Sequence, residues 1–192
     1  MADIISKSKF LSLVLRHDPK KIGLTLDQNG WANVQNLLQK LGWDMNTLEY
    51  IVNNNSKKRF AFNVDKTQIR ASQGHSIQVD LQLTPKQPPD MLFHGTTESN
   101  VQSILASGLD KRNRQHVHLS PDTATARKVG ERHGKPEIFE IDTKAMREAG
   151  FRFFLSDNGV WLTDFVPSKY LKLHKQQSDS KSAAKSDFSS LF

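Results

Sequence analysis

Residues 59–76 read Arg59-Phe60-Ala61-Phe62-Asn63-Val64-Asp65-Lys66-Thr67-Gln68-Ile69-Arg70-Ala71-Ser72-Gln73-Gly74-His75-Ser76. Arg59 to Val64 and Gln68 to Ala71 alternate in polarity as two strands around the turn Asp65-Lys66-Thr67. Before them, Asn46 to Asn53 carries Leu48, Ile51 and Val52 at helical spacing. Trp31 leads into another helix bearing Val34, Leu37, Leu38 and Leu41, ended by Gly42. Earlier still, Leu24 to Leu26 predicts a short strand closed by the turn Asp27-Gln28-Asn29-Gly30. Ile4 to His17 predicts a helix on Phe10, Leu11, Val14 and Leu15 that Asp18-Pro19 stops. Helix, short strand, two helices and a two-stranded wing is the order of a winged helix, a shape that serves DNA binding and protein interaction alike.

Beyond the wing, Thr84-Pro85-Lys86-Gln87-Pro88-Pro89 is the only proline cluster and reads as a linker. It divides the chain into a lobe over 1–84, a linker over 85–90, a second lobe over 91–175 and a tail over 176–192. In the second lobe, strands are predicted at Met91 to His94, Val117 to Leu119, Glu137 to Ile141 and Arg152 to Leu155. Asp157-Asn158-Gly159 turns the last of these into Val160-Trp161-Leu162, and Tyr170 to Leu173 closes the lobe. Helices are predicted at Glu98 to Ala106, ended by Gly108, at Asp122 to Gly130 behind Pro121, and at Thr143 to Ala149. Short strands with small helices between them indicate an α+β fold. After Lys175 the Ser, Lys, Gln and Ala composition predicts disorder, with Phe188 to Phe192 as the one apolar end.

Composition narrows the function. The chain of 192 residues has 27 Lys and Arg against 20 Asp and Glu, a net charge of +7 that favours polyanions. Residues 1–89 hold 12 basic against 7 acidic residues (+5), and residues 90–175 hold 13 against 11 (+2). A long polyanion would therefore lean on the first half. Cysteine is absent, which excludes disulfides, a thiol nucleophile and thiolate metal sites. No apolar run approaches the roughly 20 residues of a membrane span, and no signal-peptide pattern opens the chain, so a cytoplasmic protein is expected.

Arginine and histidine gather in four blocks at the edges of apolar segments. They are Leu15-Arg16-His17-Asp18-Pro19, Ile69-Arg70 with Gln73-Gly74-His75-Ser76, Phe93-His94-Gly95-Thr96, and His116-Val117-His118-Leu119-Ser120 running on to Arg127, Arg132 and His133. Guanidinium groups fit phosphate oxygens two at a time, and imidazole exchanges a proton near neutral pH. Gly74 allows a sharp turn or a close approach to a ligand. His118 and Ser120 share one face of a strand, and Arg127 lies on the helix that follows. Walker, G-x-G-x-x-G and H-E-x-x-H motifs are all missing.

In order and spacing, from about Ser8 to Leu173, the chain resembles the RNA 2′-phosphotransferase family. The matching words include Ser8-Lys9-Phe10-Leu11 through Leu15-Arg16-His17, Ile22-Gly23-Leu24-Thr25-Leu26-Asp27 with Gly30-Trp31, and Lys58-Arg59-Phe60. They continue through Ile69-Arg70-Ala71 with Gln73-Gly74-His75-Ser76, Phe93-His94-Gly95-Thr96, Val117-His118-Leu119-Ser120, Ala124 to Gly130 and Asn158 to Thr163.

The resemblance implies a winged-helix lobe joined to an ADP-ribosyltransferase-like lobe that binds NAD⁺. It implies removal of an internal RNA 2′-phosphate, as at a tRNA splice junction, in two steps. The phosphate first displaces nicotinamide from the NAD⁺ ribose, and the ribose 2″-hydroxyl then attacks phosphorus to release ADP-ribose 1″,2″-cyclic phosphate. The family's Arg-His-Arg-Arg set falls on Arg16, His17, Arg70 and Arg127. His94, Gly95, Thr96, His118, Leu119 and Ser120 are expected on the cofactor side, and Gln73, His75, Ser76 and Arg132 on the RNA side. The position where related transferases carry a glutamate falls near hydrophobic Val160, which suits an acceptor that is already an anion. No metal is expected, and a monomer is. Two alternatives stay open: a transferase that caps terminal nucleic-acid phosphates with ADP-ribose, and a non-catalytic winged-helix nucleic-acid binder.

Overall fold

A computed structural model describes residues 2–132 and 134–174; His133 and the tail predicted from 176 onward lie outside the described residues. Helix α1 (Ala2–Arg16) buries Leu11, Val14 and Leu15 on one face. Asp18 stops it and caps the 3₁₀ turn Pro19–Ile22, accepting the Lys21 N–H at 3.1 Å. The predicted strand at Leu24 to Leu26 does not form. Leu24 drops into the core, and its N–H goes to the Pro19 carbonyl at 2.9 Å instead of to a neighbouring strand. The turn after it holds as expected, because the Asp27 carboxylate accepts the N–H groups of Asn29 and Trp31, each at 2.9 Å.

The strand on this side is β1 (Ala32–Asn33), which the sequence reading missed. Asn33 also caps α2 (Val34–Leu41) at 2.9 Å, and Asp44 caps α3 (Met45–Asn53) at 2.7 Å. The two strands expected around Asp65-Lys66-Thr67 form as β2 (Phe60–Phe62) and β3 (Gln68–Ala71), with Ala61 opposite Arg70. A small antiparallel sheet in the order β1-β3-β2 then closes over a core of Leu11, Leu15, Leu37, Leu48, Ile51 and Ile69.

A second core follows, centred on Leu92, Leu119, Phe139, Ile141, Met146 and Phe153. Its elements are β4 (Met91–Thr97), α4 (Val101–Ser107), β5 (Leu109–Asp110), β6 (Val117–Leu119), α5 (Thr123–Gly130), β7 (Pro136–Asp142), α6 (Thr143–Glu148), β8 (Phe154–Leu155), β9 (Trp161–Thr163), β10 (Phe165–Val166) and β11 (Leu171–Leu173). Two of these, β5 and β10, were not anticipated; they pair with each other. The helix expected from Glu98 begins as a 3₁₀ turn over Glu98–Asn100 and becomes α-helical only at Val101. Three antiparallel sheets result, β11-β7-β4, β6-β9-β8 and β10-β5, and a bridge between Phe93 and Ser120 links the first two. The molecule is thus α+β with small antiparallel sheets.

The proline segment is strapped to the second core. Lys86 N–H donates to the Phe153 carbonyl at 2.8 Å, and the Thr143 hydroxyl donates to the Pro89 carbonyl. Across the two halves, Gln115 Nε2 donates to the Val79 carbonyl and Asn158 Nδ2 to the Lys57 carbonyl, both at 2.9 Å. Among the described residues no helix is long and apolar enough to cross a membrane.

Candidate active site

The two halves meet at Gly74, whose φ of +85° is the left-handed region that favours glycine. A Cβ placed there would lie 3.7 Å from Arg16 Nη1 and 3.8 Å from His118 Nε2. An arginine from the end of α1 and a histidine from β6 therefore face each other across this one residue. Its neighbours complete the junction. His118 Nε2–H donates to Gln73 Oε1 at 2.7 Å, His17 Nδ1 and the Ser76 hydroxyl are 2.9 Å apart, and Ser76 N–H donates to the Arg16 carbonyl at 3.0 Å.

Arg16 is half-buried. Its Nη2 donates to the Arg59 carbonyl at 3.5 Å, and its buried Nε has no hydrogen-bond partner among the described residues. Burial, helped by the charges of Arg59 and Arg114, lowers its pKa to about 10, so it remains a cation at neutral pH. Arg70 leaves β3 with its guanidinium over the Trp31 ring, 4.5 Å from the centroid, and with Nη2 on Asp157 Oδ2 at 3.0 Å. Its Nε is buried and lacks a partner among the described residues. Stacking fixes the plane of the group, and Asp157 holds one of its edges.

The histidines have different jobs. His94 Nδ1 lies 3.0 Å from the His118 carbonyl, which can only accept, so Nδ1 carries the proton and Nε2 keeps its lone pair. The His75 side chain is 1% exposed and underlies the junction without opening to solvent. Both of its ring nitrogens lack hydrogen-bond partners among the described residues, and its backbone carbonyl accepts the Gln115 N–H at 3.2 Å. His17 is exposed, and burial together with Arg16 and Arg114 still lowers its pKa.

Burial is the main cause that takes His118 down to about 3, with Arg114 next, and His75 down to about 4, with Arg16 next. Both rings are neutral in the folded chain above about pH 4, whereas in the unfolded chain each takes up a proton below its ordinary 6.5. Their contribution to stability is complete above 6.5 and drains away as pH falls toward the folded values. Thermal melts should therefore show Tm falling between about pH 7 and about pH 5, with His118→Gln flattening the dependence by up to ~1.4 kcal/mol per pH unit. A variant with the full wild-type slope would show that His118 is not the group being held neutral.

Not every predicted residue presents its side chain here. Leu119 is 1% exposed and belongs to the second core. Thr96 is buried, its hydroxyl accepting from Asn100 Nδ2 at 3.3 Å. Gly95 packs against α5, where an added Cβ would lie 1.7 Å from the Ala126 carbonyl oxygen. Ser120 exchanges backbone hydrogen bonds with Phe93 at 2.7 and 2.9 Å. Arg127 is half-buried on α5, and Arg132 is exposed in the turn after that helix. Three residues of the site were missed. Arg59 and Asp157 touch Arg16 and Arg70 directly, and the charge of Arg114 reaches Arg16, His17, His94 and His118. Arg59 had a signal in the run Lys57-Lys58-Arg59; Arg114, in the loop before β6, had none. The result is a cluster of guanidinium and imidazole groups in which Asp157 is the carboxylate paired with Arg70.

A family model described as RNA 2′-phosphotransferase, Tpt1 / KptA family, matches residues 3–165 of the chain. Similar curated proteins carry the name "Probable RNA 2′-phosphotransferase". That of Flavobacterium johnsoniae is 56% identical over 172 residues, covering 87% of this chain and 94% of its own length. That of Hahella chejuensis is 57% identical over 173 residues, with coverages of 88% and 93%. That of Fusobacterium nucleatum is 52% identical over 178 residues, with coverages of 90% and 99%.

Proposed function

We propose, from the premise that this chain belongs to the RNA 2′-phosphotransferase, Tpt1 / KptA family, that it transfers an internal RNA 2′-phosphate to NAD⁺. The products are RNA with a free 2′-hydroxyl, nicotinamide and ADP-ribose 1″,2″-cyclic phosphate, by way of an ADP-ribosylated 2′-phosphate. A tRNA splice junction is a fitting substrate. The observation that carries this reading is the junction at Gly74, where Arg16 of the first half faces His118 of the second, with His17 on Ser76 beside them and the charges of Arg16, His17 and Arg70 all reaching the buried His75. We read the first half as a winged-helix lobe on the order of its helices and wing, and the second as an ADP-ribosyltransferase-like lobe on its small split sheets.

The residues present suit NAD⁺. The buried Nε groups of Arg16 and Arg70, without partners among the described residues, are donors in want of an anion, and the lone pair on His94 Nε2 suits a ribose hydroxyl. When bound, NAD⁺ supplies an anomeric carbon from which nicotinamide leaves readily. The chain's own groups do the rest. Arg16 and Arg70, with Arg127 from α5, neutralise the 2′-phosphate so that it can approach a dinucleotide that is itself anionic, and then hold the charge that grows during attack at phosphorus. His17 sits beside them at the end of α1, and an adjacent phosphate dianion would raise its pKa from its lowered state and let it bond as imidazolium.

Incubation of an oligonucleotide bearing one internal 2′-phosphate, with and without NAD⁺, tests this. ADP-ribose 1″,2″-cyclic phosphate should appear only with NAD⁺, together with nicotinamide and 2′-hydroxyl RNA. Accumulation of ADP-ribosylated strand with no further product would instead identify a capping transferase. Absence of nicotinamide release would leave a binding module.

A further inference from the structure

Beside the active site the first half carries a groove of about 400 Å³ between α1 and α3, lined among others by Ser8, Lys9, Ser12, Asn54, Ser56 and Arg59. The face of α1 that lines it begins at Ile5, passes through Ser8, Lys9 and Ser12, and leads at helical spacing to Arg16. The opposite face is the one that buries Leu11, Val14 and Leu15. Groove and active site therefore lie along the same helix, and they adjoin where Arg16 Nη2 donates to the carbonyl of Arg59. From Lys9 to Arg16 is seven residues, about 10 Å at ~1.5 Å per residue, which is within reach of the nucleotides next to a phosphate held at Arg16.

The chemistry of the groove is that of a nucleic-acid backbone site. Its charged lining residues are Lys9 and Arg59, and Lys57 and Lys58 are exposed next to Arg59. No carboxylate is among its described lining residues. Hydroxyls from Ser8, Ser12 and Ser56 and the amide of Asn54 are suited to phosphate oxygens and 2′-hydroxyls. Arg59 is built in rather than loose. Its Nη1 and its backbone N–H both donate to Asn55 Oδ1 at 3.4 Å, Asn55 Nδ2 donates to the Ser8 hydroxyl at 3.3 Å, and its carbonyl accepts from Arg16 Nη2 and from Ser72 N–H. Exposed Ile5 and half-buried Ile4 supply an apolar wall against which a base can lie.

We propose that this groove holds the single-stranded RNA flanking the 2′-phosphate, with its backbone running along α1 from Arg16 toward Lys9. The proposal rests on the function assigned above to the site at Arg16, and a backbone track of this kind recognises sugar and phosphate rather than base sequence.

Fluorescence anisotropy with a short labelled single-stranded RNA lacking any 2′-phosphate tests the groove apart from catalysis. Lys9→Glu and Ser12→Asp should each weaken binding about tenfold, the first by losing one charge-assisted contact and the second by setting a carboxylate against the phosphate backbone. The Lys9 variant should also show a log–log salt dependence shallower by about 0.7. Lys172→Glu, the same charge reversal on β11, should bind as wild type and controls for net charge. In turnover, the KM penalty of Lys9→Glu on a long 2′-phosphorylated RNA should exceed that on a 2′-phosphorylated dinucleotide by about tenfold, since the dinucleotide is too short to enter the groove. Unaltered RNA binding by both groove variants, an equal penalty on the two substrates, or no RNA binding by the wild type would each overturn the proposal. Failure of the wild type to dephosphorylate either substrate would instead count against the assigned activity, and the binding measurements would still decide the groove.

Discussion

Arg70→Ala is expected to lower the single-turnover rate of 2′-phosphate removal by about 10²–10³-fold, the usual loss when one preorganised donor to a developing anion is removed. The effect should be large because the guanidinium is already fixed where it is needed. Trp31 holds its plane at 4.5 Å, its side chain is only 14% accessible, and its buried Nε points at no described protein acceptor. Asp157, the partner it would leave behind, is 54% accessible and can turn to water, so stability should suffer little. Arg70→Lys should recover only part of the rate, since an ammonium has neither the planar stack nor the two-edged fork. Gels that separate substrate, ADP-ribosylated strand and product would locate the loss. Attack at phosphorus gathers more charge than departure of nicotinamide, so ADP-ribosylated strand should build up. A rate near that of wild type would remove Arg70 from the catalytic set, and a slow variant with no build-up would move its action to binding or to the first step.

That arginine was visible in the sequence because it ends an alternating strand and is followed by Gln73-Gly74-His75-Ser76. Local chemistry of this kind was legible throughout. Gly42 ends α2 and Asp122 starts α5, through a cap on Thr125 N–H at 2.6 Å, as expected, while the caps Asn33 and Asp44 set the starts of α2 and α3 a residue or more from where the apolar spacing put them. What was not legible depends on partners distant in sequence. The strands β1, β5 and β10 have two residues each, too few to show a period, and exist only because β3 lies beside the first and the other two lie beside each other. Leu24 to Leu26 had the pattern of a strand but no edge to pair with. The site divides in the same way. Arg16, His17, Gln73 and Ser76 lie in blocks whose residue types were legible one by one, although only the fold brings the two blocks together at Gly74, whereas Arg114 lies in a loop with no such block and is carried to the others by the pairing of Gln115 N–H with the His75 carbonyl.

Gly95 was expected on the cofactor side, and its packing gives it a separate reason to be glycine. A Cβ there would stand 1.7 Å from the carbonyl oxygen of Ala126 and 2.6 Å from its carbon. Both are backbone atoms of α5, so no rotamer change relieves the overlap. The helix would have to lift from β4, and it is held down at its other end as well, where Gly130 would place a Cβ 2.5 Å from the Thr96 carbonyl oxygen. Gly95→Ala should therefore cost about 3 kcal/mol or more, lowering Tm by about 6–12 °C in a protein of this size. Gly42→Ala and Gly159→Ala meet nothing within 4 Å and carry only the strain of φ near +64° and +78°, so they should cost about 1 kcal/mol. Because α5 carries Arg127 and Gly95 adjoins His94, residual activity of the folded Gly95→Ala protein should fall as well. Melts in which Gly95→Ala lies no lower than Gly42→Ala would refute the backbone-to-backbone contact and return Gly95 to the ligand as its sole reason for lacking a side chain.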